Sequence, residues 1–150
     1  MKFALQNCSS PELRQTLEHA FKVASMALDI DYHAVEVQVK LLPGQATTGM
    51  LGPNTYFANA EMGATLSYLI GNVAKMKLFA FNTPQLVQTL CHELTHVAQM
   101  LRGDLRATTQ GLLVWKGRYY NPPRTQAEYE ALPWEVEANV MATRIVRRLG

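Results

Sequence analysis

Long apolar runs are missing from this sequence, and no stretch of it approaches the roughly 20 residues a helix needs to cross a bilayer. A membrane-spanning role is not expected. The opening MKFALQN has one Lys and three consecutive apolar residues before Gln6. That is well short of the apolar core of a secretory leader, so a cytoplasmic protein is expected. Charge of one sign is equally scarce: 14 Lys and Arg stand against 12 Asp and Glu, a formal charge of +2. No strong field results, and nucleic acid is not an expected partner. Two cysteines, Cys8 and Cys91, cannot build a disulfide framework, which favours a reducing compartment. Internal repeats and low-complexity stretches are also absent, which excludes solenoids and disordered arrays. What is present is an apolar content of 48% over 150 residues, enough for the core of one domain spanning 1–150.

Ser10-Pro11-Glu12 reads as an N-cap followed by a first-turn Pro. Leu13, Leu17, Ala20, Phe21, Ala24 and Leu28 then recur at helical spacing, which predicts a helix from about 11 to 29. In AVEVQVKLL, Val35, Val37 and Val39 alternate with Glu36, Gln38 and Lys40, the pattern of a strand with one buried face. Pro43-Gly44 ends it. The segment 45–82 carries turn residues between β-prone pieces such as TYFANA, ATLSYLI and MKLFAF, so further strands are expected there. Thr83-Pro84 then reads as another cap followed by a first-turn Pro, opening a second helix with Leu86, Val87, Leu90, Leu94, Val97, Ala98 and Leu101 as its apolar stripe up to Gly103. GLLVWKGRYYN looks extended or hairpin-like, and Pro133 opens a last helix ending near Leu149. Strands grouped before the central helix and a helix at the end make the expected class α+β.

The central helix contains His92-Glu93-Leu94-Thr95-His96. Histidines four apart on a helix share a face and can grip one zinc ion, Zn2+. Glu93 projects about 100° round from His92, beside the metal, where a carboxylate can take a proton from a water the metal holds. A pentapeptide of this kind also arises by chance as two surface histidines and an unrelated Glu. The capped amphipathic setting, with Leu94 and Val97 on the packing side, favours the metal reading.

A catalytic zinc needs a third protein ligand, and the other histidines, His19 and His33, lie far upstream. Two downstream carboxylates compete, Glu135 and Glu137, both in WEVEANVMATRIVRRL. At about 100° per residue, Glu135 falls among Ala138, Ala142, Ile145, Val146 and Leu149 on the buried side. Glu137 falls about 200° away, near Arg144 and Arg148, on the expected solvated side. A carboxylate on the inner face needs a partner, and a metal is one. Glu135 is therefore preferred, with Glu137 as the competitor. A dipole-favoured first-turn Glu is the simpler alternative for Glu135. Asn139, four residues on, can stand beside Glu135 and hydrogen-bond a ligand histidine.

HELTHVAQ followed by ExEAN resembles the gluzincin branch of zinc peptidases, which includes thermolysin, HtpX-like and ImmA/IrrE-type proteins. The resemblance implies His92 and His96 as ligands, Glu93 as catalytic base, Glu135 as third ligand and Asn139 behind a ligand, where many members carry Asp. HELTHVAQ, WKGRYY and LPWEVEA together resemble small zincin-like proteins of bacteriophage and prophage, over roughly residues 76–142. This implies a phage-encoded protein acting in the host cell and a zincin core. That core is a small twisted, mostly antiparallel sheet packed on the HExxH helix, with ATLSYLI or MKLFAF as an edge strand able to hold a peptide by strand addition.

Among the aromatics Trp115, Tyr119, Tyr120, Tyr129 and Trp134, one tyrosine can serve an oxyanion while the others pack. Cys91 points about 100° away from His92 and reads as a buried small side chain. Two functions follow. The first is a zinc metallopeptidase, a hydrolase acting on a protein or peptide substrate. The second is a zinc-stabilised binding or regulatory module with little or no cleavage. A DNA-associated protease of the SprT-like kind fits less well, because such proteins complete the site with His and none follows His96.

Overall fold

The computed structural model describes residues 1–42, 55–59, 64–67, 69, 71–79, 82–110 and 112–150. Its elements run β1 (Lys2–Gln6), α1 (Pro11–Ala27), β2 (Glu36–Leu42), β3 (Thr55–Asn59), β4 (Ala64–Ser67), β5 (Val73–Phe79) and α2 (Thr83–Leu101). There follow β6 (Leu105–Ala107), β7 (Leu113–Trp115), β8 (Arg118–Tyr120), α3 (Gln126–Glu130) and α4 (Pro133–Leu149). This is a mixed α and β chain, consistent with the expected class. None of the helices among the described residues is long and apolar enough to cross a membrane.

Five strands form one sheet in the order β1-β2-β5-β4-β3, and β6-β7-β8 form a second. The larger sheet is mixed rather than mostly antiparallel. β1, β2 and β5 pair in parallel, while β4 and β3 continue antiparallel. The parallel half was not foreseen because β1 shows no alternation of its own; it becomes a strand by pairing with β2, Phe3 opposite Val37 and Leu5 opposite Val39. Phe3 also stacks on Phe21 of α1, with ring centroids 4.5 Å apart. The expected edges are corrected as well. The described part of MKLFAF, 76–79, lies in β5, at the centre between β2 and β4, and 64–67 of ATLSYLI form β4, covered by β3; the edges among the described residues are β1 and β3.

The alternation of β2 is realised as read. Val37, Val39 and Leu41 are buried and lie opposite Ala74, Met76 and Leu78 of β5, while Lys40, Lys75 and Lys77 point to solvent. This apolar face meets α1, α2 and α4 in a single core that includes Leu17, Phe21, Leu90, Leu94, Val97, Trp134 and Ile145. Ser10 caps α1 by accepting from Leu13 N. The cap of α2 is Asn82, one residue before the Thr83 expected, with its side chain accepting from Gln85 N.

The WKGRYY segment is a hairpin. Lys116 and Gly117 both have positive φ, 49° and 82°, as a two-residue turn matched to the strand twist requires. Trp115 and Tyr120 from its two strands pack against Trp134, at centroid distances of 6.2 and 5.2 Å. The small sheet thereby buttresses the first turn of α4, which carries Glu135.

Candidate metal centre

From Leu86 to Met100, α2 is buried almost all round, and its polar residues Thr89, His92, Glu93, Thr95, His96 and Gln99 are all 0–1% exposed. Except for Thr95, which bonds back to the Cys91 carbonyl at 2.9 Å, they recur at three- and four-residue spacing. They form a polar stripe inside the protein. A stripe of this kind is costly unless every group finds a partner or a ligand.

The partner comes from α4. Glu135 is 1% exposed, with Oε1 3.1 Å from His92 Nε2 and Oε2 3.0 Å from His96 Nε2. The two imidazoles stand edge to face, 4.9 Å between centroids. One nitrogen of each histidine and one oxygen of Glu135 all lie within 4.8 Å of one another, the one such group of three His, Cys, Asp or Glu among the described residues. These three side chains can hold a metal ion. Burial by itself would raise the Glu135 carboxyl, but His96 and His92 outweigh it and bring it down to about 2.

Glu93 sits beside this group, also 1% exposed. Burial pushes its carboxyl up to about 7, against the pull of His92 and with a further push from Glu135. Its Oε2 has no hydrogen-bond partner among the described residues, and neither does His92 Nδ1. A buried carboxylate oxygen without a partner marks a place for a water, an ion or a substrate group.

Glu137, the competitor, is not at the donor cluster. The helical wheel put it on the solvated side, yet its carboxylate is only 33% exposed and faces the end of α2. Oε1 accepts from Arg102 at 2.8 Å and from Gln99 Nε2 at 3.1 Å. Asn139 is exposed and does not hydrogen-bond a ligand histidine among the described residues; its backbone carbonyl accepts from Thr143. The group behind His96 is Gln99, whose Oε1 lies 2.8 Å from His96 Nδ1. Sequence reasoning passed over it, although HELTHVAQ displays it three residues after the second histidine, on the same helical face.

Of the aromatic candidates, Tyr129 is the one at the site. Burial raises its phenol well above the ordinary range, and the nearby carboxylates of Glu135 and Glu93 add to the rise. Trp115 and Trp134 are core, and Tyr119 is 69% exposed. Cys91 is fully buried with its thiol pushed up to about 12 by desolvation, and it is not in the donor group.

The geometry defines a buried His-His-Glu centre with a free carboxylate alongside. Comparison with protein-family models, with curated proteins and with solved structures finds no match for the chain.

Proposed function

We propose that this chain is a zinc-dependent peptide-bond hydrolase of zincin type, with His92, His96 and Glu135 holding the metal and Glu93 as general base. The observation that carries the reading is the convergence of three donors, with the carboxylate of Glu93 beside them but outside the donor group. The donor set suits zinc, which takes imidazole nitrogen and carboxylate oxygen at roughly 2.0–2.2 Å, and one donor atom from each of the three side chains lies within 4.8 Å of the others. Zinc held by these three side chains would keep a position open for water or substrate.

Zinc held there supplies a Lewis acid that acidifies water and polarises a carbonyl. Glu93 takes the proton of the attacking water and returns it to the leaving amine. The Tyr129 hydroxyl, which feels the Glu135 and Glu93 carboxylates, is a donor that can serve a developing oxyanion. Beside α3, which carries Tyr129, a groove of ≈ 690 Å³ lined by Tyr120, Pro122, Arg124, Glu128 and Leu132 offers room for a substrate side chain. The substrate class proposed is a protein or peptide, and the resemblance to small phage and prophage zincins adds a host cell as the setting.

One observation favours the second reading, a zinc-stabilised binding module: His92, Glu93, His96 and Glu135 are all 0–1% exposed, so substrate reaches them only if their cover moves. Glu93→Gln separates the two. With labelled casein as substrate, the hydrolase reading expects cleavage to vanish while one zinc per chain remains bound. Cleavage that survives the substitution sinks the mechanism. A zinc-loaded wild type that cleaves nothing moves the conclusion to the binding module.

A further inference from the structure

The buried polar stripe of α2 does not stop at His96. Its last member, Gln99, accepts at Oε1 from the Nδ1 side of His96, 2.8 Å away. A carboxamide is two-ended: turned over, it would present its NH2 to Nδ1 and call for the opposite tautomer of the ring. The far end of Gln99 decides which way it lies. Nε2 meets the Trp134 carbonyl at 3.0 Å and Glu137 Oε1 at 3.1 Å, and neither of these can donate. Glu137 is itself held by Arg102 at 2.8 Å, and Arg102 by Asp104 at 3.1 Å. Two groups that only accept therefore fix the NH2 at one end of Gln99 and the oxygen at the other. The oxygen requires a hydrogen on His96 Nδ1, which leaves the Nε2 lone pair facing Glu135.

We infer that Glu137, together with the Trp134 carbonyl and acting through Gln99, sets the tautomer of His96 and so selects Nε2 as its metal donor. Glu137 is a positioning residue, not a ligand. The inference rests on the reading of His96 as a zinc ligand. It also gives the second carboxylate of ExEAN a task that the choice between Glu135 and Glu137 left unassigned.

The test uses the whole chain and zinc itself, with two readouts. Zinc affinity is measured by competition with a chromophoric chelator, and long-range ¹⁵N–¹H correlation in the zinc-loaded protein reports which nitrogen of His96 carries hydrogen. Gln99→Leu is expected to weaken zinc binding by about 10–100-fold, the range for loss of a group that orients a ligand histidine, and Glu137→Ala by about 10-fold. Both should disturb the His96 Nδ1–H signal. Glu137→Gln should restore wild-type behaviour, because Arg102 draws its amide oxygen into the place of the carboxylate oxygen. If Glu137 merely ties α2 to α4, Glu137→Ala will lower the melting temperature yet leave affinity and tautomer of the folded protein unchanged, which overturns the inference alone. Should Gln99→Leu fail to fold, the Glu137 pair decides by itself. A wild type that takes up no zinc overturns both this inference and the reading it rests on.

Discussion

Glu135 carries the metal hypothesis from one helix to the other, and replacing it by Gln tests that hypothesis with little change of shape. Its carboxylate lies 3.1 and 3.0 Å from two imidazoles at 1% exposure, so the three donors converge in the folded chain. Zinc binding then adds stability by mass action. At a free zinc concentration about 100 times Kd, a site present only in the folded state gains about 2.7 kcal/mol. For a domain of this size each kcal/mol moves the melting temperature by about 2–4 °C, so zinc-loaded protein should melt about 5–11 °C above chelator-treated protein. Glu135→Gln replaces an anionic ligand by a neutral amide and should collapse that difference towards zero at the same zinc concentration. Scanning calorimetry with zinc and with chelator, on both proteins, reads the four values. No zinc-dependent rise in the wild type, or a full rise in the variant, refutes the assignment of Glu135.

Tyr129→Phe should leave zinc uptake intact and lower kcat by about 10²-fold or more if the hydroxyl serves the oxyanion; unchanged turnover would remove Tyr129 from the mechanism. Against the upward push of burial, His96 and His92 hold the Glu135 carboxyl at about 2 against an ordinary 4.5. A lowered pKa stabilises the fold above the ordinary value and loses that stability as pH falls towards the folded one. Chelator-treated wild type should therefore lose stability relative to Glu135→Gln as pH falls from about 4.5 to about 2, and parallel pH curves for the two would contradict it. Cys91, buried with its thiol pushed up to about 12, should resist iodoacetamide until the chain unfolds, while half-buried Cys8 reacts in the native protein. Mass spectrometry showing native labelling at Cys91 would refute its placement.

Much of this architecture was legible because burial repeats with the period of the element. Val37, Val39 and Leu41 announce β2, and Ala138, Ala142 and Ile145 announce the inner face of α4 that selects Glu135 over Glu137. Features set by distant partners were not legible. β1 is a strand only because β2 lies alongside, and nothing local distinguishes Lys2–Gln6 from a loop. A helical wheel reports direction round an axis but not position along it, nor what a neighbouring helix offers at that height. It therefore put Asn139 behind a ligand, where the structure leaves it exposed one turn beyond Glu135. It also put Glu137 in solvent, where the C-terminal end of α2 brings Gln99 and Arg102 to meet it. Tyr129 was one of five aromatics in a short stretch, and only the placement of α3 distinguishes it from its neighbours.

The three donors come from two helices, α2 and α4, with the hairpin and α3 strung between them. An ion bridging His92, His96 and Glu135 therefore closes residues 97–134 into a ring, in the way a removable clasp would. A peptide bond cut within that ring, for example in the exposed stretch 121–128, would leave two fragments joined by helix packing and by the ion. Withdrawal of the ion would loosen that hold without any further cut. Such an ion would thus also decide whether a nicked molecule stays whole, and a chelator would part the pieces more readily than it unfolds the intact chain.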